Sequence, residues 1–174
     1  MTTPAPKPVP PMPPRTLYRY VVNDPQFGDL AAVSFLSPAD CERFGGLPGQ
    51  AVLAREKEAG QAPGPENLEW NGAFLELLHR VVREVFPALP EVRDARFAAD
   101  AEFLFVRATR PGRTGPSDLP EDVLGRFAIE QGRMVPDRYE VHHGFQPVSQ
   151  AGLFILHPEV ERALLAAFPE VEQN

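Results

Sequence analysis

Between residues 68 and 86 the apolar side chains Trp70, Phe74, Leu77, Leu78, Val81 and Val85 return at intervals of three and four. On a helix of 3.6 residues per turn, that spacing gathers them on one side. Glu69, Glu76, Arg80, Arg83 and Glu84 fall largely off the stripe, and Pro87 cannot continue the helix. The spacing predicts one long helix over 68–86, with Phe74 and Leu78 nearly buried opposite Glu76 and Arg80. A stripe this apolar must be covered, so the rest of the chain has to supply the covering surface.

Most of that surface reads as strand. Leu17, Tyr18, Tyr20, Val21 and Val22 form a β-rich run stopped by the turn signal Asn23-Asp24-Pro25. Residues 31–36 read as a second strand. Ser37 then looks like an N-cap, with Pro38 at the first helical position and Asp40 in the first turn, so a short helix is expected to about Phe44. A second helix is expected over 49–59, before the Gly/Pro break at 60–65. Residues 101–108 hold Phe103, Leu104, Phe105 and Val106, suited to a buried strand. Residues 125–131 and 133–142 flank Gly132 as a β-hairpin, with Pro136 placing its second arm at a sheet edge or bulge. A strand over 153–156 and a closing helix over 158–168 complete the reading. The fold class is α+β: a mainly antiparallel sheet packed by one long central helix and a C-terminal helix.

The domain organisation is a tail and one domain. The first fourteen residues contain seven prolines, so residues 1–15 are expected to form a flexible Pro-rich tail. Residues 16–174 carry a single domain, and a chain of 174 residues that is 43% hydrophobic can bury a real core. No apolar run approaches the roughly 18 residues of a membrane span, and no apolar leader opens the chain. Fifteen arginines against two lysines, with 21 prolines, is what a GC-rich genome imposes, so a bacterial cytoplasmic protein is expected. A net charge of −7 argues against general nucleic-acid binding, whose affinity rests on basic side chains meeting phosphates.

Chemistry-bearing residues are few. The single cysteine, Cys41, excludes an internal disulfide and a multi-cysteine zinc site. It sits between the acidic Asp40 and Glu42, which oppose a thiolate, so a half-buried structural thiol is expected. Residues 107–117, RATRPGRTGPS, form a Gly/Pro-rich loop in which Arg107, Arg110 and Arg113 could wrap an anion. Asp100 and Glu102 would share one strand face as an acid pair. Glu76 and His79 have the Glu-x-x-His spacing used by carboxylate-bridged metal sites, yet no second such motif accompanies them, so a surface or boundary histidine is expected. His142 and His143 are adjacent, and on a strand their rings would point to opposite faces.

The run Tyr139-Glu140-Val141-His142-His143, with His157 at a later helix start, resembles the beginning of an HNH-type nuclease finger over about twenty residues. That resemblance implies a metal-dependent hydrolase using His142, His143 and His157. The Asn expected between the histidines and a second helical His are both missing. No set of residues supplies nucleophile, base and stabiliser together, so an enzyme is not the leading reading, and no cofactor or metal is implied. The leading reading is a non-catalytic bacterial protein that binds another protein in an accessory, adaptor or immunity-type role. Binding surfaces would be the Arg107, Arg110 and Arg113 loop and the edge strand ending at His142 and His143. A homodimer through that edge is the alternative association.

Overall fold

The computed structural model describes residues 15–58, 60–62 and 64–171. The Pro-rich tail expected over 1–15 lies almost wholly outside the described residues. Two antiparallel sheets, a small third ribbon and two principal helices make up the α+β architecture. In chain order, β1 (Tyr18–Asp24) and β2 (Gly28–Ser34) form a hairpin, followed by helix α1 (Pro38–Arg43). The three-residue strands β3 (Ala54–Glu56) and β4 (Leu68–Trp70) extend the hairpin into a four-stranded sheet of order β1-β2-β3-β4. Helix α2 (Gly72–Val85) leads to the single turn α3 (Pro90–Arg93). Strands β5 (Phe103–Arg107), β6 (Val123–Glu130) and β7 (Arg133–Val141) form the second sheet in that order. The two-residue strands β8 (Val148–Ser149) and β9 (Gly152–Leu153) pair with each other before helix α4 (Pro158–Ala167).

The long helix forms where its stripe requires, but it starts four residues later than its periodicity suggests. Leu68, Glu69 and Trp70 are strand β4, paired with β3. Asn71 is the N-cap: its Oδ1 accepts from the Ala73 amide at 3.1 Å, while its Nδ2 donates to the carbonyls of Gly49 and Val52 at 2.9 and 2.7 Å. One side chain thus starts the helix and fastens it to the preceding loop. Phe74 and Leu78 are fully buried, opposite the exposed Glu76 and Arg80. The buried face of α2 packs on α4 and β7, and one apolar cluster joins both sheets and both helices.

The helix expected over 49–59 does not form. Gly49–Ala51 is a single 3₁₀ turn, after which Ala54 and Arg55 pair with Val33 and Ala32 of β2. Helix-favouring residues yield here to burial, since Leu53 and Ala54 are completely enclosed in the core. The start of α1 matches its sequence: Ser37 and Asp40 form a reciprocal capping box with Pro38 in the first turn. Of the strand expected over 153–156, only Leu153 lies in β9, and Ile155 makes an isolated bridge to Thr109.

The second sheet places the candidate residues. The hairpin β6–β7 turns through Gln131 and Gly132, whose φ values of 52° and 72° are the left-handed pair a tight two-residue turn demands. Farther along, four residues of β7, Val135 to Arg138, stand opposite the single Ala128 of β6. Pro136 sits in this bulge, where its missing N–H removes nothing from a regular ladder.

Candidate functional site

The arginine loop is built for internal structure. Arg110 is 1% exposed, and all five of its N–H groups are used. Nε donates to Asp122 Oδ1 at 2.6 Å, and the two terminal nitrogens donate to the carbonyls of Pro147, Gly152, Glu121 and Gln146. Arg113 reaches the other oxygen of Asp122 at 3.0 Å. Burial works to raise the Asp122 carboxyl, but hydrogen bonds from Ser117 and Arg110, with the charges of Arg110 and Arg113, hold it below the usual carboxylate range. Arg107 pairs with Asp118 at 3.1 Å and lies over the Phe105 ring. The guanidinium groups expected to wrap an external anion are therefore turned onto the chain's own carboxylates and carbonyls, and Arg110 is inaccessible to any ligand.

Other sequence candidates separate in the same way. Asp100 and Glu102 precede β5 and lie exposed in the loop, outside the strand face expected for them. Cys41 is buried, with its Sγ 3.6 Å from the Tyr20 hydroxyl. His157 is the N-cap of α4: its Nδ1 accepts from the Glu159 amide, and its Nε2 meets Glu91 at 2.7 Å. It does not join His142 and His143. Among the described residues, no three His, Cys, Asp or Glu side chains are grouped to hold a metal ion.

What the fold does assemble is a cleft between α2 and the end of β7. A cavity of about 370 Å³ is lined by Gly72, Leu75, Glu76, His79 and Arg83 from α2, and by Val141, His142, His143 and Phe145 opposite. The two adjacent histidines face one cavity because β7 ends at Val141 and the chain turns at His143 and Gly144, which lifts the strand rule of alternating faces. Gly144 leaves room for the His142 ring, which a Cβ at that position would push aside. The His142 Nδ1 lies 3.1 Å from the Val123 carbonyl, which leaves Nε2 on the outer side of the ring.

His79 is the most enclosed polar group of the cleft, at 7% exposure, and not the surface or boundary histidine its sequence suggested. Its Nδ1 is 3.0 Å from the Tyr139 hydroxyl. Burial lowers the His79 pKa to about 4, helped by the nearby charges of Arg83 and His143, so the ring is neutral at pH 7. Burial also raises the Tyr139 hydroxyl above its ordinary range, so that group keeps its proton. Among the described residues the Tyr139 hydroxyl bonds to nothing else, so it donates to Nδ1, and the His79 proton resides on Nε2. Among the described residues Nε2 has no partner, while Arg83 lies over the Tyr139 ring and forms no ion pair. This arrangement joins residues sixty positions apart, and local pattern could not show it. One signal was present: Gly125 lies in the middle of β6, and a Cβ there would overlap the Tyr139 hydroxyl and the Glu140 carbonyl. Glycine inside a strand marks such a close approach.

No protein-family model, curated protein or solved structure matches the chain. Among the described residues, no helix is long and apolar enough to cross a membrane.

Proposed function

We propose that the chain is a non-catalytic protein that works by binding another protein, and that the partner adds an extended segment to the edge of β1 that no other strand covers among the described residues. The observation that supports this reading is the character of that edge. β1 is seven residues long, regularly paired with β2 along its whole length, and contains neither proline nor bulge. Val21 on it is 74% exposed, and Phe27 at the hairpin tip is 61% exposed. Long apolar edges invite strand pairing, and proteins ordinarily blunt them. The edge that the sequence pattern marks, β7, is blunted in this manner by the Pro136 bulge and the charged Asp137 and Arg138. β4 is only three residues long. Main-chain bonds along β1 would supply affinity, with Val21 and Phe27 supplying selectivity. The net charge of −7 favours a basic partner through faster, salt-sensitive encounter, which fits an accessory or immunity-type role in a bacterial cytoplasm.

The test is affinity purification from the native host with the wild type and with a Val21→Asp, Phe27→Asp double variant. Both sites are exposed, so the variant is expected to fold and to lose the partner. Hydrogen exchange with the recovered partner is then expected to protect the amides of Tyr18–Asp24. Equal recovery by both proteins, or protection elsewhere, overturns the proposal. Light scattering identifies the alternative occupant, a second copy: antiparallel self-pairing about Val21 would set Tyr20 against Val22 and Arg19 against Asn23.

A further inference from the structure

We propose that the cleft between α2 and the end of β7 binds a small organic monoanion, a carboxylate carried on an apolar body. The surface is separate from the β1 edge, so this binding stands or falls independently of the partner proposed above.

Three features of the cleft converge on that chemistry. The first is a donor that the fold leaves facing the cleft. His79 is more than nine-tenths buried, its Nδ1 is taken by Tyr139, and among the described residues its Nε2–H bonds to no protein group. That donor faces the cleft with water in reach, and an incoming carboxylate oxygen takes the water's place. The second is an unpaired cation. Arg83 lies one turn beyond His79 on the same helix face, its guanidinium carbon 5.6 Å from the Tyr139 ring centroid, with no carboxylate of the chain within ion-pair distance among the described residues. A guanidinium beside the ring and without an ion-pair partner keeps its N–H fork available to a carboxylate. The third is an apolar wall. Leu75, Val141 and Phe145 line the cavity beside these donors, and 370 Å³ falls in the range of pockets that enclose small organic molecules.

Glu76 sets the ligand's charge. It lines the same cavity one turn before His79, so its carboxylate meets any anion that enters. A single negative charge directed at Arg83 and His79 is tolerated there. A compact dianion is repelled by Glu76 more strongly, and it has no use for the apolar wall. The site therefore discriminates against inorganic phosphate, and against a neutral isostere that cannot exploit Arg83.

Titration calorimetry on the full chain at about pH 8 tests this with sodium benzoate as the probe, benzamide as its neutral counterpart and inorganic phosphate, mostly dianionic at that pH. Benzoate is expected to bind saturably at one site, with benzamide and phosphate each at least ~10-fold weaker. Arg83→Gln, at an exposed position, should weaken benzoate by ~10-fold or more while leaving the unfolding midpoint in place. Glu76→Gln should tighten it several-fold, the opposite sign, which nonspecific adsorption would not produce. Nuclear magnetic resonance should show benzoate shifting the His79 ring signals. Failure of benzoate to saturate by ~10 mM, equal binding of benzamide, tighter binding of phosphate, or wild-type affinity in Arg83→Gln each overturns the proposal.

Discussion

Replacing Arg110 with Met tests whether a single buried guanidinium holds the loop region together. Methionine has a similar length and an apolar stem, so the cavity it leaves is small and the loss falls mainly on polar groups. Four carbonyls, of Glu121, Gln146, Pro147 and Gly152, lose their donors, and Asp122 loses its 2.6 Å partner while remaining almost wholly enclosed. Removing one member of a buried ion pair typically costs about 3–5 kcal/mol, because the other charge stays buried. Arg113 still reaches Asp122, so the lower half of that range is expected. In a domain of this size, 3 kcal/mol lowers the melting temperature by roughly 6 to 12 °C. Arg110→Lys keeps the charge but brings three donors to five acceptor contacts, and should fall between wild type and Arg110→Met. The Asp122 carboxyl is held below its ordinary value in the folded state, so the pair's contribution is present above the unfolded carboxyl pKa and is lost as pH falls through the folded one. Urea titrations at pH 7 and across the acid range measure both effects. A loss below about 1 kcal/mol for Arg110→Met at pH 7 would refute the assignment of Arg110 as the tie between these segments.

Two further outcomes follow from the core and the cleft. Leu78→Ala removes a completely buried side chain from the packed face of α2 and should cost about 2–5 kcal/mol in denaturant titration. The depressed pKa of His79, about 4 against 6.5 in the unfolded chain, means that the unfolded state takes up a proton first as pH falls; stability should therefore decline between about pH 6.5 and 4, by roughly 3 kcal/mol in all, and His79→Gln should flatten that part of the profile.

The elements legible in the sequence are those whose signals are local. Ser37, Pro38 and Asp40 announced α1, Gly132 announced the hairpin, and the apolar stripe from Phe74 to Val85 announced the buried side of α2. Residues 49–59 misled because three-residue strands such as β3 carry too few positions to show a period, and only pairing with β2 reveals them. Trp70 continued the helical spacing by coincidence and ended in β4. The site was less legible than the fold. An arginine in a Gly/Pro loop looks the same whether it faces solvent or a ring of carbonyls 36 to 42 residues away. His79 and His142 were visible as residue types, but their meeting across one cavity depends on where β7 stops.

Asn71 also bears on how the protein ages. It is followed by Gly72, and an asparagine before glycine is the pairing most open to succinimide formation, because glycine leaves the attacking backbone nitrogen unshielded. Here the carboxamide is clamped between the carbonyls of Gly49 and Val52 on its nitrogen side and the Ala73 amide on its oxygen side. While the fold is intact, those bonds keep the side-chain carbon from swinging toward the Gly72 nitrogen. Hydrolysis in an unfolded molecule would convert the donating amide into a carboxylate that must face two carbonyl oxygens on refolding. A molecule that lingers unfolded thus gathers chemical damage at the residue that both starts α2 and fastens it in place.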